Sequence, residues 1–413
     1  MLSLGSNISA TQAVESKYSA VFDGTDDFID CGLIDFNTDD ISVSCWIKVR
    51  EWEEYSCIWS NRDTSSPNVG YQLRTTGTTG ELRFFCDFGG STDPVDITGV
   101  PADTWCHVVC TVDRDGNIVI YLNHDEETDT RSVADQSSVD VTTATEFRIA
   151  RSHSTNYHNM SINQLGVWNV ALSANAIEAL YNNGKPINLR INQGNYTNSS
   201  DLQQYYKFGN GFFDDKANGI VHDQDNPGFA SNLVVNADFS ANESEDQSNL
   251  NGGLQFDNWV ENQVSGLRKF ELTSDGEGIR CTIETASTNN FHQRIYQDVS
   301  SVLTVGDVYE FSVEVLCSLA RNFEACIETT SGAGDQFAPD DVALSANTRT
   351  VIKKVFICTA TSDSGNPMTF HLYPLGDVLP AGEFYEVRKP SLKKLNGNPG
   401  LTSGGVTFSS DTP

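Results

Sequence analysis

The stretch TWCHVVCTVDRDGNIVIYLN at 104–123 decides the fold class of this 413-residue chain. On both sides of Asp115-Gly116, apolar residues occupy every second position, which is the period of a β-strand with one buried face. An Asp-Gly pair between two such runs is a strong signal for a tight hairpin turn. Runs with the same alternation surround this hairpin, at 18–22, 41–49, 82–88 and 146–150. The first half of the chain is therefore predicted to consist of antiparallel strands.

One helix is predicted among these strands. Ser173 is a suitable N-cap for the sequence ANAIEALYNNG that follows it, and Leu172 and Ile177 have the spacing of a hydrophobic staple. Gly184 is expected to take the left-handed conformation that ends many helices. A second series of strands starts at Asn232 and contains no comparable helix signal. The predicted fold is all-β, with two tandem antiparallel β-sandwich (jelly-roll) domains and one short helix in the first.

Changes in composition divide the chain into five predicted segments. Asn, Gly and Asp are frequent between the two sandwiches, and the last residues are rich in Gly, Ser and Thr, with Leu401, Val406 and Phe408 as the large apolar groups. The segments are an N-terminal arm at 1–16, a first sandwich at 17–208, a linker at 209–231, a second sandwich at 232–396 and a C-terminal tail at 397–413. The two end segments are expected to dock onto neighbouring subunits or to exchange strands with them.

The charge balance excludes one class of partner. The chain has 26 basic and 56 acidic residues, a net charge of −30, and a surface this negative repels the phosphates of nucleic acids. It contains no run of the roughly 18 apolar residues that a membrane-spanning helix requires, so membrane insertion is not expected. Residues 1–17 lack the basic start and the apolar stretch of a secretory signal peptide. We therefore expect the chain to fold in a cytoplasm.

Ten cysteines are distributed along the chain. Cys45, Cys86, Cys110 and Cys317 continue the apolar alternation of predicted strands, where a small apolar side chain fits an inward position. Reduced, buried thiols are predicted for this reason, in agreement with folding in a cytoplasm. Because the count is even, a disulfide-linked alternative stays open, although the sequence has no compact cysteine framework.

Four motifs resemble those of laminin-G-like, concanavalin A-like lectin domains, and they occur in the order typical of that family. They are SKYSAVFDGTDDFIDCG at 16–32, ISVSCWIKV at 41–49, the hairpin stretch at 104–123 and INQLGVWNVALSANAIEALYNNG at 162–184. The resemblance covers about residues 17–208. Several motifs in a fixed order are more specific than any one of them alone.

The second half of the chain is similar to jelly-roll carbohydrate-binding modules. The similarity rests on Asn236 and Phe239 near its start, on Trp259, and on the strand pattern that follows. Members of that family often carry an acidic residue in the last strand that helps to hold a structural calcium. Arg388 and Lys389 stand near that position here, so the resemblance does not imply calcium in the second module.

Calcium is predicted for the first module instead. The resemblance assigns ligands to the loop that contains Asp23, Asp26, Asp27 and Asp30, and calcium is held by about six to eight oxygens from carboxylates and carbonyls. The alternative is that acidic residues and Asp-Gly simply form a turn in a very acidic chain. Apart from this ion, no cofactor is expected.

Carbohydrate binding by a β-sandwich commonly uses aromatic faces against sugar C–H groups, with hydrogen bonds from polar neighbours. Aromatic residues outside the strand motifs are therefore the candidates for sugar contact. In the first module these are Trp52, Tyr55, Trp59 and Tyr157, and in the second they are Trp259 and Tyr296. The alternative for each of them is packing in the core or at its rim.

Catalysis is not predicted. Retaining sandwich glucanases need two carboxylates, one as nucleophile and one as acid, and such relatives arrange them as Glu-x-Asp-x-x-Glu. Glu127 and Asp129 begin this pattern, but Ser132 stands where the second Glu is required. Neither a Gly-x-Ser-x-Gly elbow nor a His-Glu-x-x-His motif occurs. His107 lies in a strand motif, where a structural role is expected.

Together these features predict a non-catalytic structural or surface protein of a tailed-bacteriophage virion, either a capsid decoration, a head fibre or a tail appendage. Laminin-G-like domains are common in such proteins, which fold in the host cytoplasm. The expected partners are other virion subunits, further copies of the chain in a homo-oligomer, and host or environmental glycans. One alternative is a bacterial surface adhesin or an accessory protein of a polysaccharide-degrading system, which predicts export. Another is a purely structural cement protein, which predicts no glycan binding.

Overall fold

The computed structural model describes residues 16–413, with the exception of 66, 91, 127–128, 154–155, 218, 245–253, 262–266, 287–293, 330–341, 364 and 376–377. The chain divides into two compact units. The first unit is Met1–Gly228 together with Asn396–Pro413, and the second is Phe229–Leu395. The second unit is thus inserted into the sequence of the first, to which the chain returns at its end.

The first unit consists of short antiparallel strands up to Gly228, with a 3-10 turn at Ala134–Gln136 and helix α1 at Ala174–Tyr181. Many of these strands carry β-branched and aromatic residues, which pack well on a pleated surface. The strands are β1 (Ser19–Asp23), β2 (Phe28–Asp30), β3 (Ile41–Val49), β4 (Glu54–Ser60), β5 (Val69–Thr76), β6 (Leu82–Phe88), β7 (Thr92–Ile97), β8 (Cys106–Val112), β9 (Asn117–Leu122), β10 (Asp125–Glu126), β11 (Arg131–Ser132), β12 (Arg148–Ile149), β13 (Asn159–Trp168), β14 (Leu202–Tyr206) and β15 (Ile220–Val221).

The second unit also consists of antiparallel strands. They are β16 (Asn242–Ser244), β17 (Leu254–Phe256), β18 (Val260–Glu261), β19 (Leu267–Leu272), β20 (Gly278–Thr285), β21 (Ile295–Asp298), β22 (Val308–Cys317), β23 (Arg321–Thr329), β24 (Val342–Leu344), β25 (Thr350–Ile357), β26 (Ser362–Asp363), β27 (Asn366–Pro374) and β28 (Phe384–Lys394). In β22 buried and half-buried residues alternate without a break, which is the pattern of a strand with one face on the core.

The end of the chain belongs to the first unit. Strand β29 (Gly400–Ser403) pairs with both β2 and β15, and β30 (Thr407–Ser409) pairs with β1. The side chains of Val406 and Phe408 pack against the core of this unit. The predicted C-terminal tail at 397–413 is therefore wrong, because the segment completes both sheets of its own unit.

Polar contacts hold the same segment in place. The carboxylate of Asp411 accepts hydrogen bonds from Lys48 Nζ at 3.0 Å and from Trp105 Nε1 at 3.1 Å. The segment 209–231, predicted as a linker, is likewise part of a folded unit as far as Gly228, and its strand β15 is buried. Composition alone does not predict the strands in these two segments, because polar residues that pair in a sheet resemble loop residues in the sequence.

Two sheets form the sandwich of the first unit. Sheet A has the strand order β10-β9-β8-β3-β13-β1-β30, with β11 beside β9 and β14 beside β13, and sheet B has the order β15-β29-β2-β12-β4-β5-β6-β7. Side chains from both sheets meet in one core cluster that includes Ile29, Val43 and Leu73. In β8, Val109 lies between the core residues Val108 and Cys110 and therefore points to the opposite face of sheet A. It packs with helix α1 in a second cluster, so the helix covers the outer face of this sheet.

The predicted helix and its N-cap are confirmed. The amide of Ala176 donates to Ser173 Oγ at 3.3 Å, which satisfies one of the unpaired amides of the first turn. The helix ends at Tyr181, and Asn182 and Gly184 both have the positive φ expected after a helix C-terminus.

In the second unit the two larger sheets share one hydrophobic core. Sheet C has the order β18-β21-β27-β23-β24, with β26 beside β27, and sheet D has the order β19-β20-β28-β22-β25; β16 and β17 form a separate hairpin. The core cluster draws on both sheets and includes Phe270, Phe311, Ile327 and Phe370. The all-β class is confirmed, with antiparallel sheets forming sandwiches and α1 as the one α-helix among the described residues.

The ten cysteines, all within the described ranges, are buried, and none of them forms a disulfide. Cys45, Cys86 and Cys110 contribute to the core of the first unit and Cys317 to that of the second, as their strand positions predict. Burial raises the pKa of the Cys45 thiol, which keeps it in the protonated form. In the part of the chain that the structure describes, no helix is long and apolar enough to cross a membrane.

Candidate functional site

Two of the six aromatic residues predicted to contact sugar lie inside the hydrophobic cores. Trp59 is 0% exposed, and its ring stacks on Phe147 with the centroids 5.6 Å apart. Trp259 is 4% exposed, contacts Phe239 and donates through Nε1 to the carbonyl oxygen of Asn236 at 3.2 Å. A ring buried in a core has no face available to a sugar, so both assignments are wrong.

The other four candidates are at least partly exposed. Trp52 packs against the core of the first unit. Tyr296 lies in β21, with its ring centroid 5.4 Å from that of His371. Tyr55 and Tyr157 lie at the outer face of sheet B, each beside an arginine. The outer face of sheet B is therefore the candidate binding surface.

The outer face of sheet B presents arginine and aromatic side chains. Along β5 and β6, Leu73 and Phe84 belong to the core, so Arg74, Arg83 and Phe85 point outward. We call this surface the arginine face and define it by Phe28, Tyr55, Arg62, Arg74, Arg83, Phe85, Arg151 and Tyr157.

Arg74 lies between two aromatic rings of this face. Its Cζ is 4.5 Å from the ring centroid of Tyr55 and 4.2 Å from that of Phe85. A cation–π contact of this kind stabilises by roughly 0.5–1 kcal/mol at an exposed site and fixes the plane of the guanidinium. The Nε of Arg74 is buried and has no hydrogen-bond partner among the described residues. The group is therefore held in place without being saturated by hydrogen bonds.

The charges around Arg74 are unevenly compensated. Arg62 forms an ion pair with Asp87, and Arg83 donates two hydrogen bonds of 2.6 and 2.7 Å to Asp96. Within the described ranges, no carboxylate forms such a pair with Arg74. Burial lowers the pKa of Arg74 from its ordinary value, and the charges of Arg62 and Arg83 act in the same direction. An anion bound at Arg74 relieves this unfavourable electrostatic energy.

A second arginine of the arginine face has the same surroundings. The Cζ of Arg151 lies 4.6 Å from the ring centroid of Phe28 and 5.6 Å from that of Tyr157. Its buried Nε also lacks a hydrogen-bond partner in the described structure. The segment after Arg151 shares a cavity of about 40 Å³ with Arg74, and that cavity is lined by Arg62, Thr64, Gln72, Arg74, Ser152, His153 and Asn156. The two arginines thus border one polar surface.

The backbone at Tyr55 is strained. Its φ of 67° lies in the left-handed region, which an aromatic residue rarely adopts. The register of β4 against β5 shifts between Glu54 and Cys57, so Tyr55 lies in a β-bulge, a device that redirects a side chain. Strain of this kind costs on the order of 1–3 kcal/mol and is concentrated at ligand-binding sites. Here the bulge places the Tyr55 ring over Arg74.

Arg74, Arg83 and Arg151 are site residues that the sequence patterns do not predict. Arg74 and Arg83 stand directly opposite each other across β5 and β6, and like charges in this relation destabilise a sheet. Such a pair is all the more unusual in a chain with 26 basic and 56 acidic residues. Both arginines can be read in the sequence, but their pairing across two strands can be recognised only when the strand register is known.

A larger cleft of about 340 Å³ lies at the C-terminal end of α1, where Tyr181, Asn182 and Asn195 contribute to its lining. The Tyr181 ring stacks on Trp46 with the centroids 5.8 Å apart and lies 5.2 Å from the ring of His124. This ring is already engaged in stacking within the protein. The cleft therefore offers hydrogen-bonding groups without the aromatic platform of the arginine face.

Three of the four predicted calcium ligands lie together. Carboxylate oxygens of Asp23, Asp26 and Asp27 are within 4.8 Å of one another, and the Asp27 carboxylate also accepts a hydrogen bond from the amide of Asp23 at 3.0 Å. Asp30 is outside this group, because its carboxylate accepts from Arg148 Nε at 3.3 Å. Asp30 is therefore removed from the predicted ligands. Calcium at the other three stays a prediction, and their carboxylates are the oxygen ligands that this ion prefers.

His107 is held by hydrogen bonds inside the first unit. Its Nδ1 is 3.1 Å from the carbonyl oxygen of Asn123, and its Nε2 is 2.6 Å from Ser44 Oγ. Because a carbonyl oxygen only accepts, Nδ1 carries the proton and Nε2 accepts from the Ser44 hydroxyl. Burial lowers the pKa of His107 to about 4, so the ring is neutral at neutral pH. These contacts give the residue a role in the packing of β3 against β8.

Burial of His158 makes the stability of the first unit sensitive to acid. Burial lowers the pKa of His158 to about 3, and neither ring nitrogen has a hydrogen-bond partner among the described residues. An unfolded histidine titrates near about 6.5. Below that pH the unfolded chain therefore binds a proton that the folded chain rejects, and the free energy of unfolding falls as the pH falls. The contribution is intact above about pH 6.5 and decreases by about 1.4 kcal/mol per pH unit below it.

For the variant His158→Leu we expect a loss of stability between pH 7 and pH 5 that is about 2 kcal/mol smaller than the loss in the wild type. Urea unfolding followed by tryptophan fluorescence at both pH values measures the difference. His153→Leu is the matched control, because His153 is exposed, and its pH dependence is expected to equal that of the wild type. Equal losses in the His158→Leu variant and the wild type would contradict a neutral, dehydrated His158.

The sequence comparisons agree with the fold of the first unit. Residues 23–178 match a laminin-G-type family model described as the Concanavalin A-like lectin/glucanases superfamily. The first unit therefore contains a concanavalin A-like domain, as its ordered motifs predict. A search of curated proteins finds no match to the sequence.

Three solved structures show partial similarity to this chain. A heptameric SAP-like pentraxin from Limulus polyphemus is 15% identical with a TM-score of 0.33, over 40% of this chain and 82% of that chain. Domain 4 of the arabinanase AbnA from Geobacillus stearothermophilus, in complex with arabinotriose, is 19% identical with a TM-score of 0.32, over 40% and 76%. The CBM40 of the Ruminococcus gnavus IT-sialidase, bound to α2,3-sialyllactose, is 13% identical with a TM-score of 0.31, over 40% and 97%. The similarity concerns the fold alone.

Proposed function

We propose that the first unit binds acidic glycans at the arginine face without catalysing a reaction on them. The observation that carries this proposal is the position of Arg74 between the rings of Tyr55 and Phe85, without a carboxylate partner in the described ranges. The concanavalin A-like fold of residues 23–178 is consistent with glycan binding.

The groups on the arginine face match the chemistry of a charged sugar. Tyr55 is 44% exposed, and an exposed ring edge or face makes favourable contacts with sugar C–H groups. A guanidinium held in a fixed plane recognises a carboxylate or a sulfate through two parallel hydrogen bonds. The cavity beside Arg74 adds Gln72, Ser152 and Asn156 as hydrogen-bonding groups, the side-chain types that orient a polar ligand.

Electrostatics favour an acidic ligand over a neutral one. A neutral sugar gains nothing from two arginines placed opposite each other, whereas an anion removes the repulsion between Arg74 and Arg83. The net charge of −30 opposes the approach of an anion from a distance. Binding therefore depends on short-range contacts with Arg74 and Arg151, and it weakens as salt screens those contacts.

The carboxylates next to the arginine face do not suit glycoside hydrolysis. Such a reaction needs a carboxylic acid that protonates the leaving group and a second carboxylate as nucleophile or base. Asp87 and Asp96 form ion pairs with Arg62 and Arg83, so both carboxylates are engaged within the protein. Asp129, from the incomplete glucanase motif, accepts a hydrogen bond from the amide of Asp96 at 3.0 Å; Glu127 lies outside the described residues. This arrangement supports a binding role.

For the biological setting we propose the outer surface of a tailed-bacteriophage virion, as a capsid decoration, head fibre or tail appendage that forms a homo-oligomer with other virion subunits. Ten buried thiols without a disulfide suit a chain that folds in the reducing cytoplasm of a host. Immuno-electron microscopy of intact particles tests the setting. Label on capsids or tails supports it, whereas label on bacterial envelopes would favour the adhesin alternative.

The full chain is expected to bind immobilised polysaccharides that carry carboxylates and to release them as the salt concentration rises. Affinity electrophoresis measures retention on such a polymer and on the same polymer after its carboxylates have been reduced to alcohols. Retention is expected on the first polymer alone, because reduction removes the anion and leaves the sugar backbone intact. Equal retention on both polymers would refute the acidic preference, and retention on neither of them, nor on a sulfated polymer, would refute glycan binding.

A further inference from the structure

The second unit brings three metal-ligating side chains together on sheet C. Ile327 and Phe370 belong to the hydrophobic core. Because residues alternate along a strand, Cys326 and Glu328 in β23 and His371 in β27 point to the opposite, outer face of the sheet. None of these three residues takes part in the arginine face or in the predicted calcium loop.

The three side chains are close and shielded from water. Cys326 and His371 are direct partners across β23 and β27, and Glu328 lies two positions farther along β23. The ligand atoms of all three lie within 4.8 Å of one another. Their exposed fractions are 1%, 8% and 0% for Cys326, Glu328 and His371.

Both ring nitrogens of His371 are engaged within the cluster. Nε2 contacts Thr369 Oγ1, which also lies 3.2 Å from the carbonyl oxygen of Glu328. Nδ1 lies 2.5 Å from Glu328 Oε1 and 3.5 Å from Arg294 Nη1. The imidazole and the carboxylate are therefore already adjacent, as two ligands of one metal ion must be.

We propose that Cys326, Glu328 and His371 bind a divalent transition-metal ion of the zinc type. Thiolate, imidazole and carboxylate are the three ligand types of zinc sites, whereas calcium and magnesium bind to oxygen alone. A thiolate and an imidazole in one set also agree with the softer ions. Three protein ligands leave the fourth tetrahedral position for water or another ligand.

The site accommodates such an ion after a small adjustment. Bonds of about 2.0–2.3 Å in a tetrahedron separate ligand atoms by about 3.3–3.8 Å, so the Glu328 carboxylate must move about 1 Å away from His371. Rotation of the terminal torsion of a glutamate, which is broad, supplies this movement. The Cys326 thiol donates to Glu324 Oε1 at 3.2 Å, which provides an acceptor for the proton that the thiol releases on binding the metal. Thr369 orients the imidazole, as second-shell partners do in metal sites.

Cobalt titration of the full chain tests the proposal. Bound Co²⁺ is expected to show thiolate-to-cobalt charge-transfer absorption, saturating near about one equivalent per chain, and Zn²⁺ is expected to displace it. Cys326→Ser should abolish the charge-transfer band, and His371→Gln should weaken binding by more than the roughly 10- to 100-fold cost of losing an outer-shell partner. Cys358→Ser is the matched control, because Cys358 is a fully buried thiol of the same unit, and it should bind like the wild type.

The readouts separate a metal site from a hydrogen-bonded cluster that binds no metal. Cobalt held by carboxylates elsewhere, such as Asp23, Asp26 and Asp27, gives no thiolate band. A folded wild-type chain without this band would overturn the proposal and leave only a hydrogen bond between His371 and Glu328. Equal bands in Cys326→Ser and the wild type would overturn it as well. Circular dichroism verifies that each variant is folded, and the wild-type stoichiometry decides the question even if a variant is not.

Discussion

A chain that ends at Leu395 is expected to lose the native fold of its first unit. Without residues 396–413, sheet B lacks β29 between β15 and β2, and sheet A lacks β30 beside β1. The core also loses its contacts with Val406 and Phe408. Each lost hydrogen bond is worth roughly 1 kcal/mol, and the whole stability of a domain is only about 5–15 kcal/mol. The loss of an interior strand is therefore expected to cost more free energy than stabilises the folded unit.

Tryptophan fluorescence and near-ultraviolet circular dichroism measure this effect, because five of the six tryptophans lie in the first unit. The truncated chain should show red-shifted emission and a weak near-ultraviolet signal. The control keeps 396–413 and replaces 229–395 by a short Gly/Ser linker. The amide of Asn396 donates to the carbonyl oxygen of Gly228 at 3.1 Å, so a short linker closes the gap and native emission is expected. Native emission from the truncated chain would show that its last residues are dispensable.

Local patterns predict the elements that are long or well capped. The alternation in 104–123 corresponds to β8 and β9, and Ser173 caps α1 as expected. Such features depend on neighbouring residues alone, so the sequence contains all the information they require. The same holds for the inward cysteines, whose positions follow from the two-residue period of their strands.

Features that depend on distant pairing were not predicted. Strands β29 and β30 are short, too short for a two-residue period to be recognised, and their partners lie hundreds of residues earlier in the chain. The sequence does not indicate that Trp59 is buried, because the alternation fails in β4, where Ile58 and Trp59 are both buried. The register shifts of that strand explain the failure. The arginine face combines residues from β2, β4, β5 and β6, whose register the sequence does not reveal.

Replacement of Arg74 by glutamine is expected to weaken the binding of acidic glycans by about 10- to 100-fold. Hydrogen bonds to a charged group contribute about 1.5–3 kcal/mol, and each 1.4 kcal/mol is about tenfold in affinity. Arg74→Lys keeps the charge but loses the planar fork between Tyr55 and Phe85, so an intermediate affinity is expected.

The same substitution should leave the fold intact. Glutamine removes the repulsion that Arg83 exerts across the strand pair and also removes the two cation–π contacts. These opposing effects are each of order 1 kcal/mol or less, so the free energy of unfolding should change by no more than about 1 kcal/mol. A loss of binding at unchanged stability would indicate that Arg74 contributes to ligand binding rather than to folding.

Isothermal titration of one carboxylated oligosaccharide into the wild type, Arg74→Gln and Lys216→Gln tests acidic-glycan binding most directly. Lys216 is exposed, lies outside the arginine face and contacts Tyr18, so its replacement changes the net charge by the same amount as the Arg74 substitution. We predict that Lys216→Gln binds within about twofold of the wild type, as expected for a surface charge away from the ligand, and that Arg74→Gln binds about 10- to 100-fold more weakly. Equal affinities for Arg74→Gln and the wild type would contradict a glycan site at the arginine face.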